Sequence, residues 1–156
     1  KVPAGIEDGV QLRYVSEGEG GLRGGPSGDL YIAISILSHP LFTREGANVI
    51  CELPISFTQA ALGSKIDVPT LEGRVSMSIP AGTQTGSVFR LKEKGMQQMS
   101  SRSLKRGDQL VKVKIEVPQK LSSKQKELLK EFAEASEEET HPESKGFFDK
   151  VRELFG

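Results

Sequence analysis

Val2-Pro-Ala-Gly-Ile-Glu-Asp-Gly9 returns later in the same chain as Ile79-Pro-Ala-Gly-Thr-Gln-Thr-Gly86, and this recurrence decides the fold. Pro3 to Pro80, Gly9 to Gly86 and Gly18 to Gly95 are each separated by 77 positions. Gly28-Asp29 returns as Gly107-Asp108 after 79, so the intervening loop has gained two residues. Two similar modules in tandem are implied. A module used twice seldom carries one catalytic constellation, so the pattern favours a binding surface over an enzyme.

Each copy ends in a strand. Leu30–Leu37 alternates with period two and puts Ile32, Ile34 and Ile36 on one face; Leu110–Val117 puts Val111, Val113 and Ile115 in the matching places. Both sets are expected to be buried. The opposite faces differ: Lys112, Lys114 and Glu116 make a solvated face, whereas Tyr31, Ala33, Ser35 and Leu37 carry no charge. That uncharged face is either covered by another part of a larger protein or left open to receive something.

Further strands are predicted at 10–15, 48–53, 65–68, 74–79 and 87–91, with Glu72-Gly73 as a hairpin turn. Ser56–Leu62 breaks the alternation and reads as a short helix ended by Gly63. Gly18–Gly28 is a glycine-rich loop, and 96–106 is its counterpart. Ser122 or Ser123 can cap a helix running to about Ala135 with Leu128, Leu129 and Phe132 on one side. Ser136–Glu143 reads as an acidic linker. Phe147, Phe148, Val151, Leu154 and Phe155 then recur at helical spacing on a segment too short to be stable alone in water. Its apolar face needs a cover: a second subunit, or the chain's own body.

Composition narrows the function. Of 156 residues, 36% are hydrophobic and 27% charged, and the 21 basic residues balance the 21 acidic ones, so bulk charge predicts no polyanion partner. One cysteine excludes an internal disulfide and a thiolate zinc cluster; Cys51, flanked in alternation by Val49 and Leu53, reads as a buried small hydrophobe. There is no membrane-length apolar run and no signal peptide. A start at Lys1, in what reads as a strand end, suggests a piece of a longer protein. His39 and His141 both precede proline and lack a nucleophile or paired carboxylate, so each reads as a turn residue. The glycine loop lacks the lysine and following helix of a phosphate loop. A hydrolytic enzyme therefore has no candidate nucleophile–base pair. Arg90–Lys114 holds eight basic residues, which keeps nucleic-acid binding as the alternative, yet no aromatic is interleaved for base stacking.

Lys1-Val-Pro-Ala-Gly-x3-Gly, Gly24-Gly-Pro-Ser-Gly-Asp-Leu-Tyr31, His39-Pro-Leu-Phe-Thr-Arg-Glu-Gly46, Ile55-Ser-Phe-Thr-Gln-Ala-Ala-Leu-Gly63 and Ile79-Pro-Ala-Gly-Thr-Gln-Thr-Gly86, in this order, resemble the carboxy-terminal half of DnaJ-type (J-domain) co-chaperones. The resemblance runs from Lys1 to about Leu129, and the closing phenylalanine-rich stretch is similar to the family's end. It implies a mostly β protein with two tandem β-sandwich-like subdomains followed by C-terminal α-helices. Residues 1–40 would be the distal part of a first client-binding subdomain, 41–120 a second, 121–143 a helix and acidic linker, and 144–156 a dimerisation helix.

The implied function is capture of non-native polypeptides by a homodimer. In the full protein these clients would be delivered to the 70-kDa heat-shock chaperone, in the cytoplasm or an organelle matrix. The chain has neither the His-Pro-Asp J-domain motif nor Cys-x-x-Cys-x-Gly-x-Gly zinc repeats, so no metal or other cofactor is expected in it. In the family an apolar groove of the first subdomain takes an extended client. Phe42 is the position carried over to that groove; its other reading is a hinge residue packing the two subdomains. Tyr31, Ala33 and Leu37 are added to the groove from their uncharged face. Phe147, Phe148, Val151, Leu154 and Phe155 are the expected dimer contact.

Overall fold

The computed structural model describes residues 1–98 and 105–155. It divides into two units, Lys1–Val117 and Pro118–Gly156. In the first, β1 (Gln11–Tyr14) and β2 (Leu30–Ala33) form an antiparallel ribbon, followed by β3 (Thr43–Glu45), β4 (Asn48–Ser56) and helix α1 (Phe57–Leu62). The hairpin β5 (Ser64–Thr70) and β6 (Gly73–Ile79) comes next, then β7 (Val88–Leu91) and β8 (Gln109–Glu116). Strands β3, β4, β8 and β7 make one sheet in that order, with β4 and β8 parallel. The second unit holds α2 (Ser123–Ala135), a tight turn at Glu138–Thr140, and α3 (Pro142–Phe155).

The repeat survives down to individual hydrogen bonds. Gly9 N–H donates to Ile34 O at 3.0 Å and Ile34 N–H to Val10 O at 2.9 Å; Gly86 N–H donates to Val113 O at 2.7 Å and Val113 N–H to Ser87 O at 2.8 Å. Both are bulges whose first residue lies at positive φ, 75° for Gly9 and 85° for Gly86, which is why glycine stands there twice. The loops close alike: Gly18 N–H reaches Gly28 O at 2.7 Å and Gly95 N–H reaches Gly107 O at 2.8 Å. Even the aspartates match, with Ser16 N–H on Asp29 at 3.0 Å and Glu93 N–H on Asp108 at 2.9 Å.

The core belongs to the second repeat. Alternation in β4 and β8 turns Leu53, Ile55, Val111 and Val113 inward against Val68, Met77 and Ile79 of the β5–β6 hairpin, with Ala60 of α1 beside them. Two layers closing on one apolar interior give the sandwich-like arrangement. Gln109, fully buried in β8, ties the layers by donating Nε2–H to Pro69 O at 2.8 Å. Cys51 is buried in β4 as expected, and burial pushes its thiol pKa up.

The first repeat corrects one expectation. Ile32 and Ile36 are exposed and Ile34 is half-buried, not sealed as Val111 and Val113 are. The cause is architectural: β2 pairs only with β1, and no second layer stands behind that ribbon among the described residues. Strand β2 also ends at Ala33 instead of Leu37, although Ile36 N–H still donates to Asp8 Oδ1 at 2.7 Å. The hairpin loop is Leu71-Glu72, with Gly73 already paired to Thr70. Strand β3 was not anticipated; three residues are too few for a periodic signal. Most of the predicted 96–106 loop lies outside the described residues.

In the second unit, Ser122 caps α2: its hydroxyl accepts Gln125 N–H at 3.2 Å, and Gln125 Oε1 accepts Ser122 N–H at 2.8 Å. The expected linker of 136–143 is shorter, because Pro142 is already the first residue of α3. A proline there has its φ preset and lacks only an amide that would be unbonded in any case.

Two outcomes test this packing. Gly107 lies so close to Ala47 that a Cβ would collide with the Ala47 carbonyl, while Met96 N–H donates to that same oxygen at 2.8 Å. Gly107→Ala should therefore lower stability by about 1–3 kcal/mol in denaturant titration, the usual scale of overpacking. Unchanged stability would show that the backbone yields freely there. At the tip of the β5–β6 hairpin, Glu72 accepts a hydrogen bond from Arg106 and pairs with Lys94 at 3.7 Å. The Arg106 hydrogen bond, and then its charge, hold the Glu72 carboxyl below the usual carboxylate range. A carboxyl depressed on folding contributes stability above its unfolded pKa and loses it as pH falls through the folded value. Carbon-detected NMR titration should find Glu72 titrating below the usual carboxylate range, with Glu72→Gln removing that step; an ordinary midpoint would refute the Arg106 hydrogen bond as a tether.

Candidate functional site

An open cavity of about 880 Å³ lies in the first unit, where the loop Gly5–Asp8, the segment Ile36–His39 and the β3–β4 hairpin come together. Ile36, Leu37, Phe42, Val49, Leu71 and Met96 give it an apolar lining, interrupted by Glu7, Asp8, His39 and Arg44. Leu37 is 89% exposed and shares this lining with the exposed Ile36, so the two form a patch rather than a lone surface side chain. Phe42 is half-buried. Its ring is steadied by His39, whose centroid lies 5.0 Å away at a 37° tilt. His39 is a turn residue as read from the sequence, with Nδ1 accepting Leu41 N–H at 3.1 Å.

The four proposed client-contact residues divide. Leu37 and Phe42 line the cavity together; Tyr31 and Ala33 do not. The latter two stand exposed on β2, opposite Arg13 and Gln11 of β1. The strand stops at Ala33, so the alternation that grouped Tyr31, Ala33 and Leu37 is broken before Leu37. Val49, Leu71 and Met96 were not foreseen in the cavity, since they come from three distant stretches with no common spacing. Ile36 was assigned to a buried face and instead lines the opening.

In the second unit, α3 leaves its apolar side open. Phe147, Phe148, Leu154 and Phe155 are all exposed and Val151 is half-buried. The Phe147 and Phe148 rings meet edge to face with centroids 5.4 Å apart. All five residues of the expected dimer contact therefore sit on one exposed helix.

The basic stretch is partly neutralised by its own surroundings. Arg90 pairs with Asp108 at 3.6 Å and Lys114 with Glu52 at 3.5 Å, while Lys94 and Arg106 share Glu72. Arg102 lies outside the described residues. Among the described residues no three His, Cys, Asp or Glu side chains gather as a metal site, and no helix is long and apolar enough to cross a membrane.

Residues 1–118 match the family described as the DnaJ C terminal domain, and residues 124–156 match the Chaperone protein DnaJ C-terminal region. The chain belongs to the DnaJ C-terminal family. It is 57% identical over 154 residues to the chaperone protein DnaJ of Ruminiclostridium cellulolyticum, covering 99% of this chain and 40% of that protein. The DnaJ proteins of Syntrophotalea carbinolica and Acetivibrio thermocellus are each 54% identical over 156 residues, covering all of this chain and 41% and 40% of theirs. The chain thus spans about two fifths of the length of these curated relatives, all named chaperones. For a DnaJ C-terminal region the mostly β body followed by helices is the architecture the sequence led us to expect.

Proposed function

We propose that this DnaJ C-terminal region captures non-native polypeptides, without nucleotide, in the groove that contains Leu37 and Phe42. The observation that carries the reading is an open, mostly apolar cavity lined by the exposed Leu37 and by Phe42. An unfolded chain offers what such a cavity accepts: scattered large apolar side chains on an extended backbone. Strand β3, which begins one residue after Phe42, is an edge strand that pairs, among the described residues, only with β4. An extended client laid along it gains main-chain hydrogen bonds that do not depend on sequence, while the cavity receives its side chains. Sequence tolerance follows from that division of labour.

Two such regions act together as a homodimer through α3, and the larger parent protein passes clients to the 70-kDa heat-shock chaperone in the cytoplasm. No cofactor takes part in capture by this segment, and catalysis has no assigned residues. The test uses the whole chain mixed with a chemically denatured model protein on dilution. Light scattering should fall in proportion to added chain and be indifferent to ATP. Scattering that is unaffected at excess chain would refute the reading.

A further inference from the structure

Arg44 has its guanidinium engaged entirely on backbone carbonyls. Nη1 donates to Ile6 O at 2.6 Å, Nη2 to Gly5 O at 2.9 Å, and Nε to Gly46 O at 2.8 Å. Gly5 and Ile6 belong to the first repeat; Arg44 and Gly46 belong to the β3–β4 hairpin. All four residues line the cavity. Between the repeats, residues 34–42 form neither helix nor strand, so the covalent connection alone does not fix how the walls face each other.

The second repeat shows what the equivalent turn requires. There Gly82 N–H and Thr83 N–H both donate to Ala60 O, at 2.9 and 3.2 Å, seating the turn on α1 of its own module. The first repeat has no such helix among the described residues. Its turn is held by a side chain borrowed from the neighbouring module. Gly5 sits at φ 79°, close to the 78° of Gly82, so the turns share a conformation and differ in what anchors them.

The geometry points to Arg44 as the positioning residue of the groove: it latches the first repeat's turn to the second repeat's hairpin and so sets how far the Gly5–Asp8 part of the lining lies from the β3–β4 part. Arginine is required because its planar fork presents donors in fixed directions to two successive carbonyls while Nε secures the hairpin turn. A lysine ammonium is a single point at the end of a flexible stem and cannot span the three acceptors. The consequence for clients rests on the capture reading above; the latch itself does not.

The experiment measures both. In a Cys51→Ala background, spin labels at Gln11→Cys and Lys112→Cys report the distance between repeats by pulsed electron resonance. Binding of fluorescein-labelled, reduced and carboxymethylated lactalbumin is followed by anisotropy on the same chains without labels. Arg44→Lys and Arg44→Ala should both broaden a narrow distance distribution. Both should weaken lactalbumin binding about tenfold, the scale of one lost charged hydrogen bond. The main thermal transition, set by the Val111–Val113 core, should stay in place and exclude unfolding as the cause; Arg44→Lys keeps the test valid should the alanine variant unfold. An unchanged distribution in the lysine variant overturns the latch, and a broadened distribution with undiminished binding overturns its positioning role. If the unaltered chain does not bind lactalbumin, the capture reading falls instead, and the distances alone judge the latch.

Discussion

Ending the chain at Thr140, just ahead of α3, should convert a dimer into a monomer in sedimentation velocity, with the Lys1–Val117 unit unaltered. Four large apolar side chains, Phe147, Phe148, Leu154 and Phe155, stand exposed on one 14-residue helix. Burying such a side chain is worth about 1.5–3 kcal/mol, so four from each protomer supply more than the roughly 8 kcal/mol of a micromolar complex. The surplus is needed, because association also costs translational freedom and side-chain ordering. Phe148→Ser with Phe155→Ser should reproduce the truncation, since those residues are seven apart and lie on the same face. Helix polarity adds little: the Asp149–Arg152 pair at 3.5 Å is exposed and contributes at most a few tenths of a kcal/mol. A truncated chain that still sediments as a dimer would remove α3 from the interface.

Phe42→Ser should weaken capture of denatured polypeptide on the order of thirtyfold, the effect of removing one aromatic anchor worth about 2 kcal/mol. Phe42 touches the groove rather than the main core, which is built from Leu53, Ile55, Val111, Val113 and their partners. Its loss removes the ring that His39 faces but opens no cavity among the buried residues. The thermal transition should therefore move little while scattering suppression fails. Leu37→Ser should act in the same direction and more weakly, because a side chain 89% exposed before binding is less fixed in place. Tyr31→Ser and Ala33→Ser, on the ribbon away from the cavity, should leave capture unchanged. Equal effects at Tyr31 and Phe42 would mean that the client follows the whole uncharged face of β2 instead of the cavity.

Much of this was legible in the chain because it depends on short-range rules. Ser122 before a helix, Gly63 at a helix end and period-two alternation each act over a few residues. The burial of Val111 and Val113 followed from the same alternation. Identical spacing could not say that Ile32 and Ile36 would stay exposed, since whether a strand face is covered depends on what lies behind it. Alternation marks which side chains share a face. It carries no information about the opposing layer.

By itself the sequence determined the duplication, the matched glycines at 9 and 86, the helix caps, the phenylalanine side of α3 and the family. Tertiary structure alone decided that Leu37 and Phe42 line one cavity while Tyr31 and Ala33 do not, that Val49, Leu71 and Met96 complete it, and that Gln109 bridges two layers. It also decided that Arg44 reaches back 38 residues to Ile6. The reason is one of range: turns and caps are settled between neighbours, whereas a groove is made wherever the chain's separate paths happen to converge, and no local spacing encodes that convergence.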